Sequence, residues 1–445
     1  MNENELMAKE RVPKAVAVMA IPSVISSLVT VIYNMADTFF VGQTGDPLQV
    51  AAVSLTNPIF ILFMAVANML GMGGSAVASM AMGEKNEGKV RKVSAIVTYA
   101  SLGAGIILAA VLLLFTAPIL EVFGANEETY EFAKGYTIYV AWGAPFIIWS
   151  AAASFIVRAE GASKEAMVGN MIGTIANIVL DPVFVSGLGQ GAAGAAIATT
   201  ISNIMASGYY LWYFLKRSKH MSIGIRYFTF HEGIMARICS TGLPTAIFSA
   251  LMSVSTIVLN QILVAYGNAP MAAIGIVFKA NMFITFLQMG LANGVQPLLG
   301  YNYGAGNMGR FIEVEKFTKK CCLIVGILST ALYFVFREEI IRIFIDDEEV
   351  IRYGVEMLIA YMLSGPVIGF LFVNMNSMQS VGRAFPATVL SVMRQGLLLI
   401  PLLYLLQAVA GIDGVIYGQS ITDYITVAAS AVLWGRMKGQ LRKKI

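Results

Sequence analysis

Two carboxylates stand where an apolar chain tolerates them least. Asp37 falls in Tyr33-Asn34-Met35-Ala36-Asp37-Thr38, near the end of an apolar block over residues 12–41. Asp181 falls in Asn177-Ile178-Val179-Leu180-Asp181-Pro182, near the end of another over 166–185. On a helix Tyr33 and Asn34 share the face of Asp37, and Asn177 shares that of Asp181, so each acid has hydrogen-bonding neighbours one turn away. A further block, 192–215, brings Thr199, Ser202 and Asn203 onto one face. Such a set can hold a proton: burial raises a carboxyl pKa, by about 3–5 units when complete, and a like-charged neighbour raises it further. The same oxygens can ligate sodium, and the spacing does not separate the two chemistries. A competing reading makes Asp37 an acid that only solvates its helix end beside Gly42. Ionisable groups at membrane depth ordinarily mark an ion or substrate path, which favours function.

The elements that carry these acids are membrane spans. The 445 residues are 57% hydrophobic and 13% charged, with a mean hydropathy of +0.73, where soluble proteins carry about 25% charged residues. Apolar blocks recur over 12–41, 48–72, 94–120, 136–157, 166–185 and 192–215, then over 238–265, 271–299, 321–336, 355–375, 387–409 and 412–434. Each can cross a bilayer core that needs about 20 residues of helix. Twelve spans in an all-α fold place both termini on one side. Lys9, Arg11, Lys14, Lys85, Lys89, Arg91, Lys92, Lys216, Arg217, Lys219 and the stretch 436–444 all fall on that side, so it is expected to be cytoplasmic in a cell (inner or plasma) membrane. The opposite connections 42–47, 186–191, 267–270 and 408–414 hold no Lys or Arg, and the charged segment 337–352 on that side is acid-rich. The net charge of +4 thus belongs to the inner face and implies no nucleic-acid partner.

Several chemistries find no support. The first block is too long for a cleavable signal peptide. Cys239, Cys321 and Cys322 lie near inner helix ends and imply no extracellular disulfide framework. Two histidines, His220 and His231, form no cluster at ligand spacing, so no metal is expected. No phosphate-binding loop supports direct ATP coupling, and no nucleophile and base cluster near an interface suggests an enzyme. No cofactor is expected beyond a coupling ion, H+ or Na+.

The chain is also written twice, at a spacing of about 221 residues. Ala20-Ile21-Pro22 returns as Gly242-Leu243-Pro244, Gly83 through Lys89 returns as Gly304 through Arg310, Gly161 as Gly382, and Gly191 through Gly194 as Gly411 through Gly414. Six spans per repeat is an even number, so the halves enter the membrane in the same direction. They predict two parallel six-helix bundles related by a pseudo-two-fold axis along the membrane normal, with an N-terminal lobe over 1–222 and a C-terminal lobe over 223–445. Paired bundles of this kind bind solute between the halves and rock. The acids are not copied: Asp37 aligns with Asn260 or Gln261, and Asp181 aligns near Ile400, which places ion chemistry in the first half. In the second half Lys279 and Asp423 lie at matching depth, about ten residues from the outer ends of their spans. They are expected either to neutralise one another or to reach water separately. The 25 Met and 25 Phe offer adaptable contacts for organic cations, although most must serve packing.

Tyr33 through Thr38, Pro22, Asn177 with Asp181-Pro182, and Pro297-Leu298-Leu299-Gly300-Tyr301-Asn302-Tyr303-Gly304-Ala305 together resemble the multidrug and toxic compound extrusion family, the last run its MepA-like bacterial branch. The resemblance covers essentially the whole chain. It implies cation-coupled, most simply proton-coupled, efflux of amphipathic and often cationic small molecules across the lipid bilayer, with the functional unit expected to be a monomer. It also maps a cation site of the first lobe onto Tyr33, Asp37, Asn177, Asp181 and Thr199. The carboxylates that some members carry in the second lobe are absent at Asn260 and Gln261, which favours the first-lobe acids. The alternatives are a sodium-coupled drug antiporter and a lipid-linked oligosaccharide flippase of the same superfamily, for which Lys279 alone supplies too little positive charge.

Overall fold

The structure, a computed structural model, describes residues 3–42, 46–229 and 232–442. A chain that crosses hydrocarbon must satisfy its backbone internally, and among the described residues every regular element is helical. The first half comprises α1 (Glu3–Ala8), α2 (Val12–Gly42), α3 (Pro47–Gly83), α4 (Glu87–Leu114), α5 (Thr116–Val122), α6 (Glu127–Ala159), α7 (Ser163–Asp181) with a π-helical extension Pro182–Gly187, and α8 (Gly191–Lys216). The second comprises α9 (Ile234–Val264), α10 (Asn268–Gly304), α11 (Met308–Val335), α12 (Arg337–Arg342), α13 (Glu348–Met362), α14 (Gly365–Ser380), α15 (Phe385–Val392), a π-helical segment Met393–Leu397, and α16 (Leu399–Arg442).

Among the described residues twelve spans form two bundles, and three of them take a shape that the apolar blocks alone do not show. The tenth span is the pair α13 and α14, bent by 46°. The eleventh and twelfth are separate helices joined directly at Gly411, whose non-helical φ 61° and ψ −136° reverse the chain. That turn lays Gly418 against Leu403, its Cβ direction pointing 2.8 Å from a Leu403 methyl. The sixth, α8, is rich in Gly, Ala, Ser and Thr, which lets it pack tightly against α6 and α7.

The core explains how the bundles meet. One large apolar cluster joins both halves, from Leu6, Met7 and Val12 through Val77 and Ile238 to Leu298 and Met437, and it lies toward the basic face. Toward the opposite face it gives way to two separate clusters. Ile59, Phe63, Val140 and Val185 belong to the first half, and Leu259, Ile262, Ile274, Met357 and Val415 to the second. The apolar core shared by the two lobes therefore lies at the basic face, and toward the other face each lobe keeps its own core.

Glycine makes the seal between the lobes. α3 packs on α9 and α10, and α10 packs on α2, with backbones so near that a side-chain carbon has no room. A Cβ on Gly242 would stand 1.8 Å from Met69 O, one on Gly73 2.0 Å from Ile238 O, one on Gly304 2.0 Å from Met80 O, and one on Gly83 2.1 Å from Tyr301 O. This is why α3 runs past Met72 to Gly83, beyond the expected block: its small-residue tail is buried against the other lobe and has no polar end to expose. Overpacking costs about 1–3 kcal/mol when neighbours can shift, and here the neighbours are backbone. Gly304→Val is expected to lower the thermal unfolding midpoint in detergent and to expose a cysteine placed at Ser79, which is fully buried in the seal, to maleimide. An unchanged midpoint with an unreactive Ser79→Cys contradicts the seal.

Candidate functional site

Three helices of the first half converge on one buried carboxylate. Asp181 ends the α-helical part of α7, because Pro182 has no N–H to continue the ladder and the chain widens into a π turn. Asp181, Asn177 and Thr199 are 0%, 1% and 1% exposed. With its amide oriented to satisfy both neighbours, Asn177 donates to Asp181 Oδ2 at 3.0 Å, and its oxygen accepts from Thr199 Oγ1 at 3.3 Å. Tyr33, from α2, places its hydroxyl 3.5 Å from Thr199 Oγ1. Tyr33, Asn177, Asp181 and Thr199 thus form one polar chain through α2, α7 and α8. Asn34 and Asp37 lie on α2, but their side chains fall outside the described residues.

Asn203 takes another role. Its amide donates to Thr199 O at 2.8 Å, and its oxygen accepts from Ser150 Oγ at 3.0 Å, so it ties α8 to α6 one turn from Thr199. Ser202 likewise donates to Thr199 O at 2.8 Å. A shared helix face brought these residues to one depth without turning them all toward the acid.

The second-half charges pair differently from the expectation. Asp423 is buried, and its partner is Arg394, not Lys279. Arg394 Nε donates to Asp423 Oδ1 at 2.7 Å and Nη2 to Oδ2 at 3.4 Å. Ser364 Oγ and Gln419 Nε2 complete the carboxylate at 2.8 and 2.9 Å. The Arg394 guanidinium also lies 5.4 Å from the Phe248 ring centroid and 5.6 Å from that of Phe372, which helps an aromatic-lined interior hold a cation. Lys279 is exposed on α10, with no ion pair among the described residues. The π-helical segment Met393–Leu397 carries Arg394, and its cation within the 387–409 block was a readable signal.

Sequence reasoning also passed over Glu160, a carboxylate 1% exposed at the basic end of α6. It accepts from Tyr213 Oη at 2.7 Å, Ser218 Oγ at 2.9 Å, and the backbone N–H groups of Lys219 and His220 at 2.8 Å each. It anchors the start of the connector between the halves.

The family model MatE matches this chain twice, over residues 22–183 and 244–405. The chain belongs to the MatE family. This MatE chain is 30% identical over 439 residues to the multidrug export protein MepA of Staphylococcus aureus (strain NCTC 8325 / PS 47), an overlap of 97% of this chain and 96% of that protein. It is 31% identical over 429 residues to the MepA of Staphylococcus saprophyticus, covering 96% and 94%. Its fold matches a crystal structure of MATE in complex with MaL6 at a TM-score of 0.94 and 24% identity over 100% of both chains. It matches an outward-facing multidrug resistance MATE family transporter of the MOP superfamily at 0.91 and 24% identity, covering 99% and 98%. The twelve-helix, two-bundle architecture of this MatE protein is that fold.

Removing one member of a buried pair leaves an uncompensated charge, at about 3–5 kcal/mol, whereas removing both costs far less. In this MatE protein Arg394→Met and Asp423→Asn are each expected to destabilise strongly, the double variant to recover most of the loss, and Lys279→Gln to leave Asp423 unaffected. A double-mutant cycle on thermal unfolding reads the coupling. Additive losses contradict the Arg394–Asp423 pair.

Proposed function

We propose that this MatE protein is a proton-coupled antiporter that exports amphipathic, often cationic compounds across the cell membrane by alternating access, with its basic face and both termini in the cytoplasm. The two MepA proteins, named as multidrug exporters and matched over nearly their whole length, support efflux of small organic molecules. A transporter of this kind is not an enzyme.

One observation carries the proton reading: Asp181 is fully buried, and a carboxylate charge held away from water is costly unless a single proton relieves it. Asn177 turns its nitrogen to Asp181 and its oxygen to Thr199. Asp37, four residues beyond Tyr33 on α2, is assigned to the same centre.

Coupling follows from charge. With each lobe keeping its own core toward the non-basic face, protons load from the outside, where an energised membrane has the higher proton activity. Protonation removes negative charge from the first lobe and weakens its hold on a cationic drug, which leaves outward. A ligand shifts the equilibrium between states only by its differential affinity for them, so drug and proton must bind antagonistically.

Asp181→Asn and Asp37→Asn are expected to reduce efflux of a fluorescent cationic dye to background with expression retained. Binding of a cationic drug to the purified protein is expected to weaken as pH falls through the carboxyl titration, by up to about tenfold per pH unit for strict one-proton antagonism, and Asp181→Asn is expected to flatten that dependence. A requirement for sodium at constant pH contradicts proton coupling.

A further inference from the structure

A cavity of about 340 Å³ opens on the basic face where the two halves meet. Val77 of α3 and Ile234 of α9 supply its apolar lining, while Lys89 and Lys92 of α4 and Arg237 of α9 supply three cations against one lining carboxylate, Glu232. Lys92 pairs with Glu232 across the two halves, and Lys89 leans toward Glu84 at 3.1 Å. Arg237 is exposed and has no ion pair among the described residues.

Because the chain is written twice, this pocket has a counterpart, and the counterpart is filled. The repeat relates Val77 to Leu298, Asn86 to Asn307, Lys89 to Arg310, Glu232 to Glu10 and Ile234 to Val12. On that side α1 occupies the space. Leu6 and Met7 are 4% and 0% exposed and belong to one apolar cluster with Val12 and Leu298. Above them Arg310 Nε donates to Met7 O at 3.1 Å and Nη2 to Leu6 O at 3.4 Å, and Asn302 Nδ2 reaches Met7 O at 3.2 Å. The filled groove therefore takes apolar carbons below and acceptor oxygens against its cation. The α3–α4–α9 groove has the same construction, carries more positive charge, and stays open.

We propose that this pocket binds the phosphate of an anionic phospholipid of the basic-face leaflet, its headgroup seated among Lys89, Lys92 and Arg237 above the buried Val77 and Ile234. Lys and Arg donate charge-assisted bonds to phosphate oxygens, and basic pockets between spans on a cytoplasmic face suit anionic headgroups. The walls come from both halves, so the phosphate bridges Lys89 and Lys92 to Arg237 only while the basic face is sealed. Its binding therefore favours the state parted at the other face. This goes beyond the transport reading and does not depend on which ion is coupled.

The test titrates purified full-length protein in neutral micelles with phosphatidylglycerol, with phosphatidylcholine, and separately with inorganic phosphate, reading lipid binding by native mass spectrometry and the thermal midpoint. Phosphatidylglycerol is expected to bind and raise the midpoint, and phosphatidylcholine is not. At about 1 kcal/mol per cation, Lys89→Gln and Arg237→Gln each weaken binding about fivefold and the pair about 25-fold, while Arg237→Lys and the distant Lys320→Gln leave it unchanged. Asp181→Asn, which stops efflux, leaves lipid affinity as it was, so the two proposals fail separately. Equal protection by inorganic phosphate alone overturns the lipid assignment. Undiminished phosphatidylglycerol affinity in the double variant, or an equal loss in Lys320→Gln, overturns the pocket.

Discussion

Hydrocarbon offers no hydrogen-bond partner, and that absence organises this protein. Every backbone group in the bilayer must be answered within its own helix, which makes every regular element among the described residues helical. Buried polar side chains are mostly answered within the protein too, by backbone carbonyls or by other side chains. Asp423 has Arg394, Ser364 and Gln419 around it, and Asp181 has Asn177, itself bonded to Thr199. The two acids are answered differently: a guanidinium lies against Asp423, and a neutral amide donates to Asp181.

The repeat makes this asymmetry easy to locate. Aligning Gly191 with Gly411 relates Thr199 to Gln419 and Asn203 to Asp423. Both lobes thus place a polar pair at the same level of their last span. In the first lobe the acid stands on the neighbouring span α7, and in the second it stands on the last span itself and draws its cation from the neighbour.

Between the bundles the seal works by a contrasting principle. Carbonyl oxygens of Met69, Met80, Ile238 and Tyr301 meet glycine backbones, so the contact is shape without charge or long side chains. Packing of this kind lets the backbones approach closely without burying a charge between them. Charge has been kept to the rim, where water reaches it: the Lys92–Glu232 pair and the Arg310 contacts to α1 both lie at the basic face.

Much of this was legible in the amino-acid order. Depth in a membrane is a one-dimensional coordinate that residue count along a helix measures, so the apolar blocks, the basic face, the duplication, and the levels of Asp37, Asp181 and Asp423 could all be read directly. Helical spacing also set Asn177 beside Asp181. What residue count does not measure is direction around a helix and which helix lies next to it. Lys279 and Arg394 both lie within apolar spans of the second half, yet only Arg394 faces Asp423, because the π turn at Met393–Leu397 and the packing of α15 against α9 and α14 aim it there. Asn203 shared a helix face with Thr199, yet the packing of α6 claimed its oxygen. The sequence by itself determined the level of each charge, and only the tertiary structure decided its partner, since lateral neighbours arise from packing twelve helices together and not from the order of residues along any one of them.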